Sequence, residues 1–313
     1  MRYPEAFDPA SQLPAPSRDL LMAIYCAFIL AEQTLARLPK RVGYLIATLV
    51  GDIIYLVFPR IRGSIAGNVR HVLGPEADDA AVRRVVRGVL RTAAKNYLDL
   101  IRIPRVKPEE IMREVIPHGV HHLVDAVATG KGVMLVTAHF GSFDIAVQLL
   151  AVHSVQTTIL VEALEPQRLL DHVVSLRRNK GLNVIPARSG ALQAMLQALR
   201  KGELVLLACD RDVTGEAPQA LFFGEETRLP DIAVRIALRT GAAIVPVFNL
   251  RRDDGRYDVY IEPPVEVPSN GNGTVAAHMN EVIRVMEKYI KSCPEQWAVL
   301  EPVWPESTQQ PQV

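Results

Sequence analysis

The sequence predicts an α/β fold: a central, mostly parallel sheet flanked by helices, with an apolar helical appendage at its N-terminus. Three observations carry that expectation. From residue 131 onward, short apolar runs alternate with segments of helical length and periodicity. Several of those runs are continuously apolar instead of alternating, which marks strands buried on both faces of a parallel sheet. Upstream, two apolar stretches of helical length stand apart from this pattern: Leu20 to Ala31 has no polar interruption, and Val42 to Phe58 is broken only by Thr48 and Asp52.

The 313 residues are 49% hydrophobic and 22% charged, with a formal net charge of +1, so the chain can bury a substantial core and is neither disordered nor collagen-like. A net charge so near zero argues against wholesale nucleic-acid binding. Cys26, Cys209 and Cys293 are odd in number, far apart and without metal-site spacing, which fits a reducing compartment and no disulfide framework. The charge is regional: from Ala36 to Lys107, fourteen Lys or Arg stand against five acids.

Both N-terminal apolar runs fall short of the ~20 residues a spanning helix needs. A signal peptide fits poorly, because Glu5, Asp8, Asp19 and four prolines precede or enter the first run where a basic segment would be expected. These helices are read in two ways. In one they pack on each other or on the main domain; in the other they lie on a membrane, with Lys40, Arg41, Arg60, Arg62 and Arg70 near anionic headgroups.

Strands are expected at Gly132 to Thr137, Thr157 to Val161, Asn183 to Ile185, Leu204 to Cys209, Ala243 to Leu250 and Tyr257 to Ile261. Helices are expected at Phe143 to Ala151, Gln167 to Lys180, Ala191 to Lys201 and Asp231 to Thr240, the last two closed by Gly202 and Gly241. The Asn270-Gly-Asn-Gly273 cluster reads as a loop before a final helix near Thr274 to Lys291. The expected division is a flexible N-terminus at 1–18, a helical membrane-associating region at 19–115, an α/β domain at 116–303 and a disordered tail at 304–313.

Chemistry concentrates where the first of these strands ends, in Ala138-His139-Phe140-Gly141-Ser142-Phe143-Asp144. The carboxyl ends of strands in open α/β sheets are where ligands bind. With His139 in the turn and Gly141 letting the backbone fold tightly, Asp144 in the first helical turn is expected to reach back and hold one ring nitrogen. That pair suits a general base, or is simply a satisfied histidine. Ser142 suits a helix N-cap. No Gly-x-Ser-x-Gly nucleophile elbow is present, and no Walker loop, dinucleotide fingerprint or His-Glu-x-x-His pattern, so neither an acyl-enzyme nor a cofactor nor a metal is expected. Cys209 reads as a buried, inert thiol.

At this point the residues resemble the lipid A and phosphatidylinositol mannoside acyltransferases, which group with glycerolipid acyltransferases marked by a His-x4-Asp or His-x4-Glu motif. His139 and Asp144 match that motif. The resemblance continues through the Arg60 to Gly74 segment with Asn68-Val69-Arg70, Glu162-Ala-Leu-Glu-Pro-Gln-Arg168, Arg177, Asp210-Arg211-Asp212, Phe222-Phe223-Gly224-Glu225, Leu229-Pro230, Gly241-Ala-Ala-Ile-Val-Pro246 and Pro294-Glu295-Gln296-Trp297. It covers roughly residues 20 to 305.

The resemblance implies a glycerolipid-acyltransferase-like fold at the cytoplasmic face of a membrane. It implies transfer of a fatty acyl group from acyl-CoA or acyl-carrier protein to a hydroxyl of a glycolipid or phospholipid. The lack of a nucleophile elbow agrees with direct attack by that hydroxyl, His139 taking its proton and Asp144 orienting His139. Main-chain N–H groups in the turn or a nearby cation would stabilise the oxyanion. Glu162, Arg177, Asp210, Arg211, Asp212 and Glu216 are the expected substrate-binding residues, with Arg177 either binding a phosphate or pantetheine or capping its helix. Where the mannoside branch has an acidic assistant to the histidine, this sequence has Gln219, with Glu216 three residues earlier. Phe222 and Phe223 line the acyl path or pack in the core. A non-catalytic lipid-binding protein on the same fold is the alternative.

Overall fold

Parallel strands buried on both faces require a layer of helices on each side, and the computed structural model has that form. It describes residues 18–162, 166–178, 181–213, 215–265 and 274–304. The expected flexible N-terminus up to residue 17, the 270–273 loop and the tail beyond Trp304 lie outside the described residues.

Four helices come first: α1 (Arg18–Leu35), α2 (Lys40–Val57), α3 (Pro59–Leu73) and α4 (Asp79–Arg102), the last capped by the Asp78 carboxylate, which accepts from the Ala81 N–H at 2.6 Å. A short α5 (Pro108–Glu114) leads into β1 (Val115–His118), then α6 (Val120–Ala128) and β2 (Val133–Thr137). Next come α7 (Phe143–Ala146), α8 (Gln148–Val152), β3 (Thr157–Val161), α9 (Gln167–Arg178), β4 (Asn183–Pro186), α10 (Ala191–Arg200) and β5 (Leu204–Ala208). A hairpin, β6 (Gln219–Phe222) and β7 (Glu225–Arg228), precedes α11 (Ile232–Thr240), β8 (Ala243–Arg251), β9 (Tyr257–Ile261) and α12 (Val275–Ser292).

The sheet runs β1-β9-β8-β2-β5-β3-β4, with β8, β2, β5, β3 and β4 mutually parallel and β9 antiparallel to β8. Successive residues of β2 serve opposite faces. Met134 and Val136 join the core beneath α10, α11 and α12, while Val133 and Leu135 join the one beneath α6 and α9. The expected helix from Phe143 to Ala151 is instead two short helices parted at Val147. The strand β1 has little sequence signal because it is four residues with a proline, half of it exposed, and Pro is tolerated at a sheet edge.

The N-terminal helices pack on α4 through small residues. Gly43, Ala47 and Gly51 are buried along one side of α2, and a Cβ on Gly51 would sit 2.7 Å from the Arg91 Cα and N. The opposite side of α2 carries exposed Leu45, Leu49, Ile53 and Leu56. At Phe58 the residue before proline leaves helical geometry, and α3 departs at 99° to α2. Among the described residues no single helix is long and apolar enough to cross a membrane; α2 and α3 pass together only as this bent pair. Of the five cations expected to face headgroups, three have partners within the protein. Lys40 pairs with Glu114 at 2.5 Å, Arg62 donates to the Tyr55 carbonyl at 2.9 Å, and Arg70 pairs with Asp79 at 2.7 Å. Arg41 and Arg60 are exposed.

Substituting Gly51→Ala pushes α2 against the α4 backbone and is expected to cost about 1–3 kcal/mol in urea unfolding. Gly63→Ala, in α3 with open space around its Cα, is expected to gain up to ~1 kcal/mol by helix propensity.

Candidate active site

Strand order decides which carboxylate meets His139. In the parallel pair β2 and β5, Thr137 lies opposite Ala208, so His139 and Asp210, each two residues further on, emerge side by side at the carboxyl edge of the sheet. Asp210 is fully buried; its Oδ1 accepts from His139 Nδ1 at 2.8 Å and its Oδ2 from the His139 main-chain N–H at 2.8 Å. The Trp297 indole N–H also donates to Oδ2, at 2.8 Å. An ionised carboxylate at Nδ1 keeps the proton there and leaves Nε2 as the nitrogen available to the cavity. Burial alone pushes the Asp210 carboxyl up, but the charge of His139 and the hydrogen bonds from its ring, from Trp297 and from its own N–H outweigh burial and hold it at about 2.

This corrects the expected pairing of His139 with Asp144. Asp144, in the first turn of α7, is held instead by Arg177 of α9 through Nε at 2.5 Å and Nη2 at 3.0 Å, both side chains buried. Arg177 therefore commits Nε and Nη2 to Asp144 instead of presenting a free fork. Ser142 does precede α7, but its hydroxyl donates to Asp99 at 2.7 Å and caps no helix N–H.

The turn after His139 is pinned from several sides. Gly141, at φ +64°, has no room for a side chain, since a Cβ would lie 2.0 Å from Asn249 Oδ1. Its N–H donates to the Gln296 carbonyl at 2.9 Å and its carbonyl accepts from Asn96 Nδ2 at 2.7 Å. The Ala298 N–H donates to the His139 carbonyl at 2.8 Å, and Phe140 bridges to Trp297. The N–H groups of residues 139 to 141 are all committed, those of 139 and 141 to Asp210 and Gln296 and that of Phe140 to the Ala138 carbonyl at 2.7 Å. Of the turn's N–H groups named as possible oxyanion donors, those of residues 139 to 141 are therefore already engaged.

Beneath this turn, Asp99 accepts from Tyr44 at 2.7 Å, from Ser142 at 2.7 Å, from Arg251 at 2.6 Å and from Tyr257 at 3.2 Å. Burial, reinforced by the Asp99 charge, pushes the Tyr44 and Tyr257 hydroxyls well above the usual range. Both remain neutral donors.

His139 opens onto a cavity of about 270 Å³. Its apolar wall includes Leu100, Ile159, Leu170, Val173, Leu206 and Leu207, and its polar groups include Asp144, Arg177, Glu162, Arg211 and Glu301. Five of the expected site residues thus share one cavity, with Asp210 directly behind His139. Asp212 and Glu216 are not in its lining: Asp212 accepts from the Gly215 and Ala217 N–H groups at 3.0 Å, and Glu216 is exposed. Gln219 is exposed at the start of β6. Phe222 is core, stacked on Trp304 with centroids 5.4 Å apart, and neither it nor Phe223 lines the cavity. Cys209 is buried, which raises its thiol far above the usual range.

Sequence reasoning assigns no role to Asn96 and Tyr97 of α4, or to Trp297 and Glu301 of the closing segment, although all contribute to the site. Only the Pro294-to-Trp297 block carries a signal, and it names no partner.

Replacing Asp210 with Asn is expected to lower stability at neutral pH, because the folded carboxyl lies below its unfolded value near 4. That contribution, on the order of 2 kcal/mol, is complete above pH 4 and disappears as pH falls towards 2. Urea midpoints of wild type and Asp210→Asn should therefore stay apart by a constant amount from pH 6 to about pH 4 and converge as pH falls from 4 towards 2.

The described chemistry has relatives. A model of bacterial lipid A biosynthesis acyltransferases matches residues 14–306. A phosphatidylinositol mannoside acyltransferase of Mycolicibacterium smegmatis is 27% identical over 241 residues, 76% of this chain and 77% of that protein. Its counterpart in Mycobacterium tuberculosis is 27% identical over 220 residues, covering 69% and 68%. A lipid A biosynthesis lauroyltransferase of Escherichia coli is 28% identical over 276 residues, covering 83% and 84%. With the family model spanning nearly its whole length, this chain belongs to the bacterial lipid A biosynthesis acyltransferases and is an acyltransferase.

Proposed function

We propose that the enzyme moves a fatty acyl group from an acyl-CoA or acyl-carrier-protein thioester to a hydroxyl of a glycolipid or phospholipid, in one direct displacement with His139 as general base. The observation that carries this reading is the imidazole at the wall of an apolar cavity, its Nδ1 held by the buried carboxylate of Asp210. Nε2 takes the proton of the acceptor hydroxyl as its oxygen attacks the thioester carbonyl. Asp210 fixes the ring and stabilises the imidazolium, the part that the motif spacing suggests for Asp144. The tetrahedral intermediate then collapses, the C–S bond breaks, and the proton on Nε2 goes to the departing thiolate.

We assign oxyanion stabilisation to a cation at the cavity, the N–H groups of residues 139 to 141 being taken. Arg177 lines the cavity with two of its donor nitrogens on Asp144, and its guanidinium has further N–H groups. Asp144 on this reading is a positioning residue for Arg177. The apolar wall suits the acyl chain.

The exposed apolar side of α2, Leu45, Leu49, Ile53 and Leu56, with exposed Arg41 and Arg60 near its two ends, supports peripheral attachment to a membrane with anionic lipid, at its cytoplasmic face. α2 lies flat along α4, so its other side is free to rest in the acyl boundary.

The test incubates the protein with acyl-CoA or an acyl-carrier-protein thioester and a panel of lipid acceptors, and follows free thiol and acylated lipid. Acceptor-dependent thiol release should fall about 10²–10⁴-fold in His139→Ala. Release that does not need an acceptor would make the enzyme a thioester hydrolase. For the membrane, Leu45, Leu49, Ile53 and Leu56 changed together to Ser should cut co-sedimentation with anionic vesicles without loss of helix content. Undiminished pelleting would sink the assignment of this face.

A further inference from the structure

The cavity holds two arginines in different states. Arg177 and Asp144 form a two-point pair with both side chains buried, so drawing Arg177 away would strand a buried charge. Arg211 is arranged otherwise. Its Nη1 donates to Glu301 Oε2 at 2.9 Å and its Nη2 to Glu162 Oε2, so the guanidinium is shared between two carboxylates from different segments of the chain. The Arg211 side chain is 17% exposed, whereas Glu162 and Glu301 are 42% and 65% exposed. Both carboxylates can return to water at little cost, while the cation stays at the cavity.

Resting on the acyl-transfer reading, we infer that Arg211 is the cavity's phosphate-binding cation and that Glu162 and Glu301 occupy its fork until a substrate phosphate displaces them. The geometry suits the exchange. A planar guanidinium that meets two separate carboxylates through Nη1 and Nη2 has, on those same two nitrogens, the pair of parallel N–H groups that grips two oxygens of one phosphate. Only side chains need to move. The main chain on either side of Glu301 is clamped by buried Asn68, whose Nδ2 donates to the Glu301 carbonyl at 2.8 Å and whose Oδ1 accepts from the Val303 N–H at 2.9 Å. Arg211 follows Asp210 directly in the chain, and it lines the same cavity as His139.

Two substrates bring such a phosphate: the pantetheine arm of the donor, and the headgroup phosphodiester of the acceptor lipid. Calorimetric binding of coenzyme A and of glycerophosphoinositol, a soluble headgroup diester, separates them, using the full chain as wild type, Arg211→Gln, Glu301→Gln and the double variant. Arg211→Gln should weaken one ligand about tenfold or more, and Glu301→Gln should tighten the same ligand severalfold by removing a competitor, a gain absent in the double variant. Loss confined to coenzyme A assigns the donor phosphate; loss confined to glycerophosphoinositol assigns the headgroup. Unchanged affinities in Glu301→Gln, or no binding of either ligand, overturn the inference. Glu301→Gln removes an exposed charge and keeps its shape, so its binding result remains decisive even where Arg211→Gln lowers the melting temperature. Because the readout is binding, transfer with unaltered affinities refutes only the role of Arg211, and binding without transfer refutes only the acyl-transfer reading.

Discussion

A carboxylate removed from water must be met by donors on every side, and Asp210 is the point at which this protein meets that demand. Three N–H groups converge on it, from the ring and main chain of His139 and from the Trp297 indole. The donors come from the β2 edge and from the closing segment of the chain, while the acceptor comes from β5. Losing any of the three leaves a buried anion under-satisfied, at a cost of roughly 1–3 kcal/mol or more. The requirement that holds the carboxyl down is therefore also what locks the imidazole in one orientation.

The closing segment acts as a clamp. Trp297 reaches Asp210, Ala298 reaches the His139 carbonyl, and Gln296 joins Gly141 to the Arg251 main chain. Around it, Phe222, Trp297 and Trp304 form an aromatic cluster that seats the β6–β7 hairpin against the same segment. Offset and edge-on ring contacts of this kind add about 0.5–1.5 kcal/mol each beyond burial.

A second buried carboxylate, Asp99, ties the N-terminal helices to the same turn. Tyr44 of α2, Arg251 of β8, Tyr257 of β9 and Ser142 beside His139 all donate to it. Removing one partner of a buried ion pair such as Asp99 and Arg251 costs about 3–5 kcal/mol. The helix α4 carries Asp99, lines the cavity with Asn96, Tyr97 and Leu100, and supports α2 on another side. The helical region is thus an appendage by sequence order but forms part of the site's wall.

Hydrophobic period and turn chemistry determined much of this protein in advance. The strands at 157–161 and 257–261 and the buried character of Leu204 to Cys209 are local properties, because a residue's side of the sheet follows from its place in the run. His139 at a strand end was legible for the same reason, and so was the need for glycine at 141. Strand order is not local. Nothing within Asp210-Arg211-Asp212 says that its strand lies beside β2, and the five-residue interval from His139 to Asp144 suggested a pairing that Arg177, thirty-three positions away, takes over. Which carboxylate serves the histidine, and which carboxylates each cavity arginine pairs with, depended on chain segments brought together from far apart in sequence, and only the assembled sheet decided it.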